Sequence, residues 1–263
     1  MKTCLVMGFG RSGTSLMSGI LHDAGYFMGN DLYSPRHSNP KGFFENALIN
    51  GINERILEEY DYCLRFEDFP VLSKKWSPYK PGEGHRWLSY IPEGVEITNT
   101  NPAIEEQIKE VLSHPDFAFK DPRFNYTLPV WEPFLPVDTL FLCLVREPGI
   151  TIQSVLKECE TAEYLFDFAI TAELAEKLWT NSYLHLLKQT EKIDPDRFIF
   201  IHYRQLLSGK ILQFLSEILQ VKVDGRFISP ELNRVREGLK VSGSTSKLYH
   251  RLCDLASFKP EAL

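Results

Sequence analysis

The sequence predicts an α/β fold in which a parallel sheet is flanked by helices, and three observations carry that expectation. Short apolar runs that read as buried strands occur at residues 4–7, 117–119, 139–145 and 197–203. Stretches with apolar residues at helical spacing alternate with them, the pattern of strand–helix–strand units. The first run passes straight into a glycine-rich turn and a helix. With 263 residues, one large domain spanning 1–263 is expected, long enough to bury a substantial core.

Gly8, Gly10 and Gly13 follow the first strand, interleaved with Ser12, Thr14 and Ser15. Leu16, Ile20, Leu21 and Ala24 then recur at helical spacing, and Gly25 is a stop signal. A loop of this kind turns backbone N–H groups inward at the positive end of a helix dipole, an anion site that phosphate commonly fills. Arg11 at its crest adds a cation. Gly8, Gly13 and Ser15 match the triphosphate loop G-x-x-x-x-G-K-[ST], but Thr14 replaces its lysine, which argues against triphosphate cleavage. Gly8, Gly10 and Gly13 also spell G-x-G-x-x-G. No acidic residue ends a strand about 20 residues further on, where a ribose needs one. A turn serving packing alone needs fewer glycines and no cluster of hydroxyls.

Residues 26–44 are rich in Gly, Pro, Asn and Ser and read as a loop placed to frame a pocket. Residues 45–61 read as a helix with Ile49, Ile52, Ile56 and Leu57 on its apolar face. Glu45 falls in or beside its first turn, where a carboxylate is favoured on electrostatic grounds alone. Residues 62–101 lack periodicity and carry Trp76, Tyr79, Trp87 and Tyr90 among prolines and glycines. They form an irregular insertion, either a lid on a binding site or an aromatic-stapled surface loop. Residues 102–113 read as a helix.

The strand at 117–119 runs into Lys120-Asp121-Pro122-Arg123. Charges at the end of a buried parallel strand face a cleft or each other, and ligands bind at such ends. An Asp121–Arg123 pair is the structural alternative, and it leaves Lys120 unexplained. The strand at 139–145 ends at Arg146, and Glu147-Pro148 opens a helix. Ser154 lies about two turns along it. An arginine at a strand end and a hydroxyl on the next helix can grip one phosphate from two sides. Residues 167–192 read as a long helix in which Trp179 and Tyr183 pack. The strand at 197–203 holds His202, a core histidine, and a helix is expected over 205–219. Residues 226–263 show little periodicity.

Composition bounds the function. Hydrophobic residues make up 43% and charged residues 24%, ordinary for a globular protein. A net charge of −6 argues against broad nucleic-acid binding. Cys4, Cys63, Cys143, Cys159 and Cys253 are odd in number and show no C-x-x-C, which fits buried thiols in a reducing compartment. No apolar run approaches the ~18 residues of a membrane span, and Arg11 interrupts the short apolar start that could pose as a signal peptide. A cytoplasmic protein is expected.

The segment Gly8-Phe9-Gly10-Arg11-Ser12-Gly13-Thr14-Ser15-Leu16 resembles the 5′-phosphosulfate loop of the sulfotransferases, enzymes that use 3′-phosphoadenosine-5′-phosphosulfate (PAPS) as donor. The Arg-Ser-Gly-Thr-Ser form is similar to the bacterial and protein-tyrosine branches. The resemblance implies a P-loop nucleotide-hydrolase-like sulfotransferase fold. It also implies sulfuryl transfer to an acceptor hydroxyl or amine, with adenosine 3′,5′-bisphosphate as the other product and no metal. Under it, Gly10, Arg11, Ser12, Gly13, Thr14 and Ser15 hold the phosphosulfate. Lys120, in a Lys-Asp-Pro-Arg segment similar to the family's, approaches the bridging oxygen, and Arg11 assists it. Arg146 and Ser154 take the 3′-phosphate, and Tyr203 begins a segment similar to the family's Tyr-Glu-Asp-Leu. Arg204 and Gln205 replace its two carboxylates. Gly42-Phe43-Phe44-Glu45 resembles the bacterial Gly-aromatic-aromatic-Glu segment, which makes Glu45 the expected general base and His37 the second candidate. The family's C-terminal Arg-Lys-Gly signature is missing, although Arg234, Arg236, Lys240 and Gly243 lie in that region. The expected partners are a nucleotide donor and an acceptor of unspecified type, with no nucleic acid. A phosphoryl-transfer enzyme with a degenerate P-loop, such as a nucleotide kinase, and a non-catalytic nucleotide-binding protein are the alternatives.

Overall fold

The computed structural model describes residues 1–37, 39–60, 84–165, 170–232 and 238–260. Among these, strands β1 (Cys4–Met7), β2 (Ala118–Lys120), β3 (Leu140–Val145) and β4 (Phe198–His202) pair in parallel in the order β2-β1-β3-β4. Every residue of β1, β2 and β3 is buried. Helices cover both faces of the sheet, so its strands read as continuous apolar runs rather than alternating ones.

Alternate strand residues still divide between two cores. Cys4 and Val6 with Leu142 and Leu144 pack against α1 (Thr14–Asp23) and α8 (Leu212–Leu219) through Met17, Ile20, Leu21, Leu215 and Leu219. Leu5 and Met7 with Phe141, Cys143 and Val145 face the larger core. That core takes in α2 (Ala47–Glu58), α3 (Pro102–Val111), α4 (Phe124–Trp131), α5 (Pro148–Thr161), α6 (Ala172–Thr190) and α9 (Gly243–Leu255).

Strand order places the site. From β1 the chain crosses to β2 on one side, then returns to build β3 on the other. The C-terminal ends of β1 and β3 therefore flank a topological switch point, where a crevice opens. The glycine loop leaves β1 there, and Arg146 leaves β3 beside it.

Several boundaries differ from the sequence reading. Asn46 caps α2, its side chain accepting from Leu48 N and Ile49 N at 3.0 and 3.2 Å. Of the two places expected for Glu45, in or beside the first turn, it takes the second, just before the cap. Strand β2 runs one residue later than expected, pairing Lys120 with Val6. Helix α6 starts at Ala172, because Thr171 caps it by accepting from Leu174 N. The expected start at Asp167 lies outside the described residues.

The single helix expected over 205–219 is two. Tyr203–Leu207 forms α7, and Gly209 at φ 72 turns the chain into α8. Helix α4 escaped notice because it is buried nearly all round, so no amphipathic period marks it, and Pro129 sits within it. Helix α9 begins after Ser242, whose hydroxyl accepts from Thr245 N. Cys4, Cys143, Cys159 and Cys253 are buried free thiols. Cys63, Trp76, Tyr79, Arg234 and Arg236 lie outside the described residues, as does most of the expected lid. Among the described residues no helix is long and apolar enough to cross a membrane.

Candidate active site

The loop after β1 is shaped by residues of alternating backbone hand. Gly13 (φ 97) is the N-cap of α1, and Arg11 (φ 70) is a non-glycine residue in the left-handed region. Gly13 brings no capping side chain, so the first N–H groups of α1 have no intrahelical partner. Together these form a concave surface lined by backbone N–H groups, a geometry suited to an anion. The loop is braced from behind. Gly8 N donates to Asn125 Oδ1 at 2.9 Å. The Tyr183 hydroxyl donates to Leu144 O at 2.6 Å and stands 3.1 Å from Ser12 Oγ. Two rings lie on the loop's glycines. A Cβ at Gly10 would come within 2.4 Å of the Trp87 ring, and one at Gly13 within 2.5 Å of the Tyr203 ring.

The end of β3 joins this loop directly. Arg146 Nη1 donates to Arg11 O at 3.2 Å, and its guanidinium lies 4.5 Å from the centre of the Tyr203 ring. Burial lowers the Arg146 pKa, although a guanidinium keeps its charge at any ordinary pH. Arg11 Nε donates to Ser154 Oγ at 3.1 Å, and Arg11 also pairs with the buried Glu158 at 3.6 Å. Its side chain thus ties the loop to α5. Next to Arg146, Glu147 pairs with Arg204 at 2.7 Å. Burial, with Arg204 and Arg146 nearby, pushes His202 down to about 3. Its neutral ring stands 3.0 Å from Tyr249 Oη and stacks on Phe258, as a core histidine does.

At the end of β2, Lys120 pairs closely with Glu45 and stands 3.4 Å from both Ser15 Oγ and Phe43 O. Asn50 Nδ2 donates to Glu45 Oε2 at 2.8 Å. Burial pushes the Glu45 pKa up, but the Lys120 charge and hydrogen bond, Arg123 and Asn50 together hold it below the usual carboxylate range. Behind this pair lies a buried charge network. Asp121 takes Arg123 Nη1 and Asn53 Nδ2, each at 3.0 Å. Glu54 takes Arg123 Nε, Arg86 Nη1 at 3.0 Å, and the backbone N–H groups of Gly84 and Arg86 at 3.0 and 3.1 Å. Both groups open on one cavity of about 540 Å³, lined among others by Arg11, Ser15, Glu45, Lys120, Arg146 and Ser154. Among the described residues no group of three or more His, Cys, Asp or Glu side chains is placed to hold a metal ion.

A profile described as the sulfotransferase family matches residues 4–216. The chain belongs to the sulfotransferase family. Solved structures agree on the fold. The sulfotransferase domain of the olefin synthase from Synechococcus is 18% identical, with 99% of this chain and 96% of that one covered and a TM-score of 0.51. A sulfotransferase from Mycobacterium avium is 13% identical, covering 100% and 78%, with a TM-score of 0.54. The sulfotransferase domain of the curacin biosynthetic pathway is 15% identical, covering 98% of each chain, with a TM-score of 0.51. Curated proteins give no match.

In this sulfotransferase, Gly10, Arg11, Gly13, Thr14, Ser15, Glu45, Lys120, Arg146, Ser154 and Tyr203 all line the same cavity. Ser12 and His37 do not. Ser12 is buried, its N–H donating to Phe9 O at 3.2 Å and its hydroxyl beside Tyr183. His37 is exposed in the loop before α2. The sequence reading gave no place in the site to Asn50, Glu54, Glu158 or Tyr164, and left Trp87 undecided between lid and surface loop. A signal existed in α2. Asn46, Asn50, Asn53 and Glu54 recur at helical spacing beside the isoleucines, and all four are buried. A polar stripe of that kind on a buried helix needs partners.

Proposed function

We propose that this sulfotransferase takes its sulfuryl group from PAPS and passes it to an acceptor hydroxyl or amine, with residues 1–263 acting as one domain. The observation that carries this reading is the meeting of two anion grips in one crevice. The uncapped N-terminus of α1 lies at one and Arg146 at the other, joined by the hydrogen bond from Arg146 to Arg11 O. A nucleotide with negative groups at both ends of its ribose suits such a pair. When bound, PAPS would supply the sulfur, whose bond to the phosphate oxygen breaks as a bond to the acceptor oxygen or nitrogen forms.

The chain's own residues then divide the work. The Gly10–Ser15 loop offers backbone N–H groups and the Thr14 and Ser15 hydroxyls to the phosphosulfate end. Ser12 serves behind the loop, where Tyr183 fixes it. Arg146, Ser154 and Tyr203 serve the 3′-phosphate end. Lys120 supplies positive charge where the leaving oxygen gains negative charge, and Arg11 adds to the field. Glu45 takes the acceptor's proton. Its place in the cavity favours it over His37, which lies outside. The Lys120 ammonium now neutralises Glu45. A second anion beside Lys120 shares that charge and makes Glu45 a stronger base. The four buried free thiols favour a reducing, cytoplasmic setting.

The acid side of the rate profile tests the base. The profile of kcat/KM for PAPS against pH reports the enzyme before the donor binds, and there Glu45 is held below the ordinary range. A depressed base stays deprotonated as the pH falls through that range, so activity is lost only below it. Glu45→Gln is expected to cut kcat about 100- to 10,000-fold and to remove that limb. The readout is bisphosphate release from radiolabelled PAPS with simple alcohols as acceptors. A limb near neutral pH, or an unimpaired Glu45→Gln enzyme, would reject Glu45 as the base.

A further inference from the structure

The turn that delivers Glu45 has an uncommon backbone. Gly42 has φ 101 and Phe44 has φ 55, both in the left-handed region. A residue with a side chain stays there only where its surroundings hold it, and such positions cluster at functional sites. Phe43 and Glu45 line the cavity, whereas Phe44 between them does not. Its ring packs instead between two others, 5.4 Å from His22 of α1 and 5.4 Å, edge-on, from Phe227. Phe227 is itself fixed. A Cβ at Gly19 of α1 would come within 2.1 Å of its ring, and Lys41 Nζ lies over that ring, 4.6 Å from its centre. Lys41 Nζ also donates to Phe227 O at 2.7 Å and to Ser229 Oγ at 2.5 Å. The segment after α8 therefore grips the turn from Lys41 to Glu45 at both Lys41 and Phe44. Beyond it, Tyr33 N donates to Glu45 O at 3.0 Å, which fixes the backbone after Glu45 and leaves the side before it to Phe44.

We propose that Phe44 is a positioning residue for the reaction: wedged between His22 and Phe227, its ring holds the turn that keeps the Glu45 carboxylate against Lys120. This rests on the reading of Glu45 as the base. Phe44 touches neither the cavity nor the reacting groups, so it acts through Glu45 alone. Without the ring, the left-handed backbone at residue 44 loses its support and relaxes, and the carboxylate moves off the ammonium. The groups that face Glu45 are Lys120 and Asp121 at the end of β2, Arg123 before α4, Tyr33 in its own loop and Tyr164 after α5. Glu54 on α2 shares Arg123 with Asp121. Lys120 is the one cation bonded to Glu45 directly.

The test follows the Glu45 carboxyl itself in the full chain. With carbon-13 in the glutamate carboxyls, the Glu45 signal is the one that Glu45→Gln removes, and it is titrated by NMR in the wild type and in Phe44→Ala. Burial pushes this carboxyl up, and Lys120, Arg123 and Asn50 together hold it below the usual range. A carboxylate released from Lys120 loses most of that pull, so its titration midpoint should rise in Phe44→Ala, a variant that removes no charge. In the same variant kcat should fall about 10- to 100-fold, the cost of a displaced catalytic group. Affinity for adenosine 3′,5′-bisphosphate should change far less. A merely structural role would lower stability to urea and leave the Glu45 titration where it was, and that result would overturn the proposal. Phe44→Leu keeps the bulk without the flat ring. If Phe44→Ala does not fold, the same rise is expected there, and its absence is equally decisive. Glu45→Gln separates the two levels. If it is inactive while Phe44→Ala keeps both its kcat and the wild-type titration, the proposal falls alone. If Glu45→Gln turns over normally, the reading of Glu45 as the base falls and the proposal with it.

Discussion

Replacing Lys120 with methionine lowers kcat about 100- to 1000-fold, the usual cost of removing one group aimed at developing charge. Affinity for adenosine 3′,5′-bisphosphate falls far less, because the charge Lys120 answers is greatest in the transition state. Methionine fills much of the space of the lysine stem, so packing at the end of β2 is largely kept. A second readout follows from Glu45. Lys120 is the chief group holding its pKa down, and burial alone pushes it up. Without the ammonium, the acid limb of the residual activity moves to higher pH. Rapid-quench single-turnover kinetics across pH measure both effects. A loss confined to KM, or a limb that does not move, would remove Lys120 from the chemistry.

Glu54→Ala costs about 3–5 kcal/mol of folding stability, the range for deleting one partner of a buried ion pair. Glu54 serves two guanidiniums, Arg123 and Arg86, both nearly buried, and two backbone N–H groups of residues 84 and 86. Removing it strands charge in the interior and frees the start of the segment that lays Trp87 on Gly10. Urea denaturation should show a lower midpoint at unchanged slope. Bisphosphate affinity should fall with it, as the loop loses the ring that covers it. A loss below about 1 kcal/mol would mean that the network is worth no more than an exposed pair.

The residues most legible in the sequence were those whose roles are local. Cys4 to Gly25 encodes strand, turn and helix in one continuous stretch, and Val145-Arg146-Glu147-Pro148 encodes a strand end and a helix start the same way. Lys120 stood out because a buried strand rarely ends on three charges. Asp121 and Arg123 do form the pair raised as the structural alternative, while Lys120 turns to Glu45. What stayed hidden depends on distant partners. Glu54 meets Gly84, Arg86 and Arg123 only once β2 and the segment before Leu88 have docked on α2. Helix α4 carries no periodic face because tertiary burial surrounds it. Trp87 gave no hint of its place on Gly10, since an aromatic residue in an aperiodic stretch reads equally as a staple or a lid.

The loop after β1 and Arg146 are held to grip opposite ends of one bisphosphorylated nucleoside. Titration calorimetry of the wild type and Arg146→Ala, with adenosine 3′,5′-bisphosphate and with adenosine 5′-monophosphate, measures this most directly. The wild type should prefer the bisphosphate by about 10- to 100-fold, the worth of charge-assisted hydrogen bonds, and Arg146→Ala should bind both nucleotides alike. A bisphosphate preference that survives in Arg146→Ala would contradict the assignment.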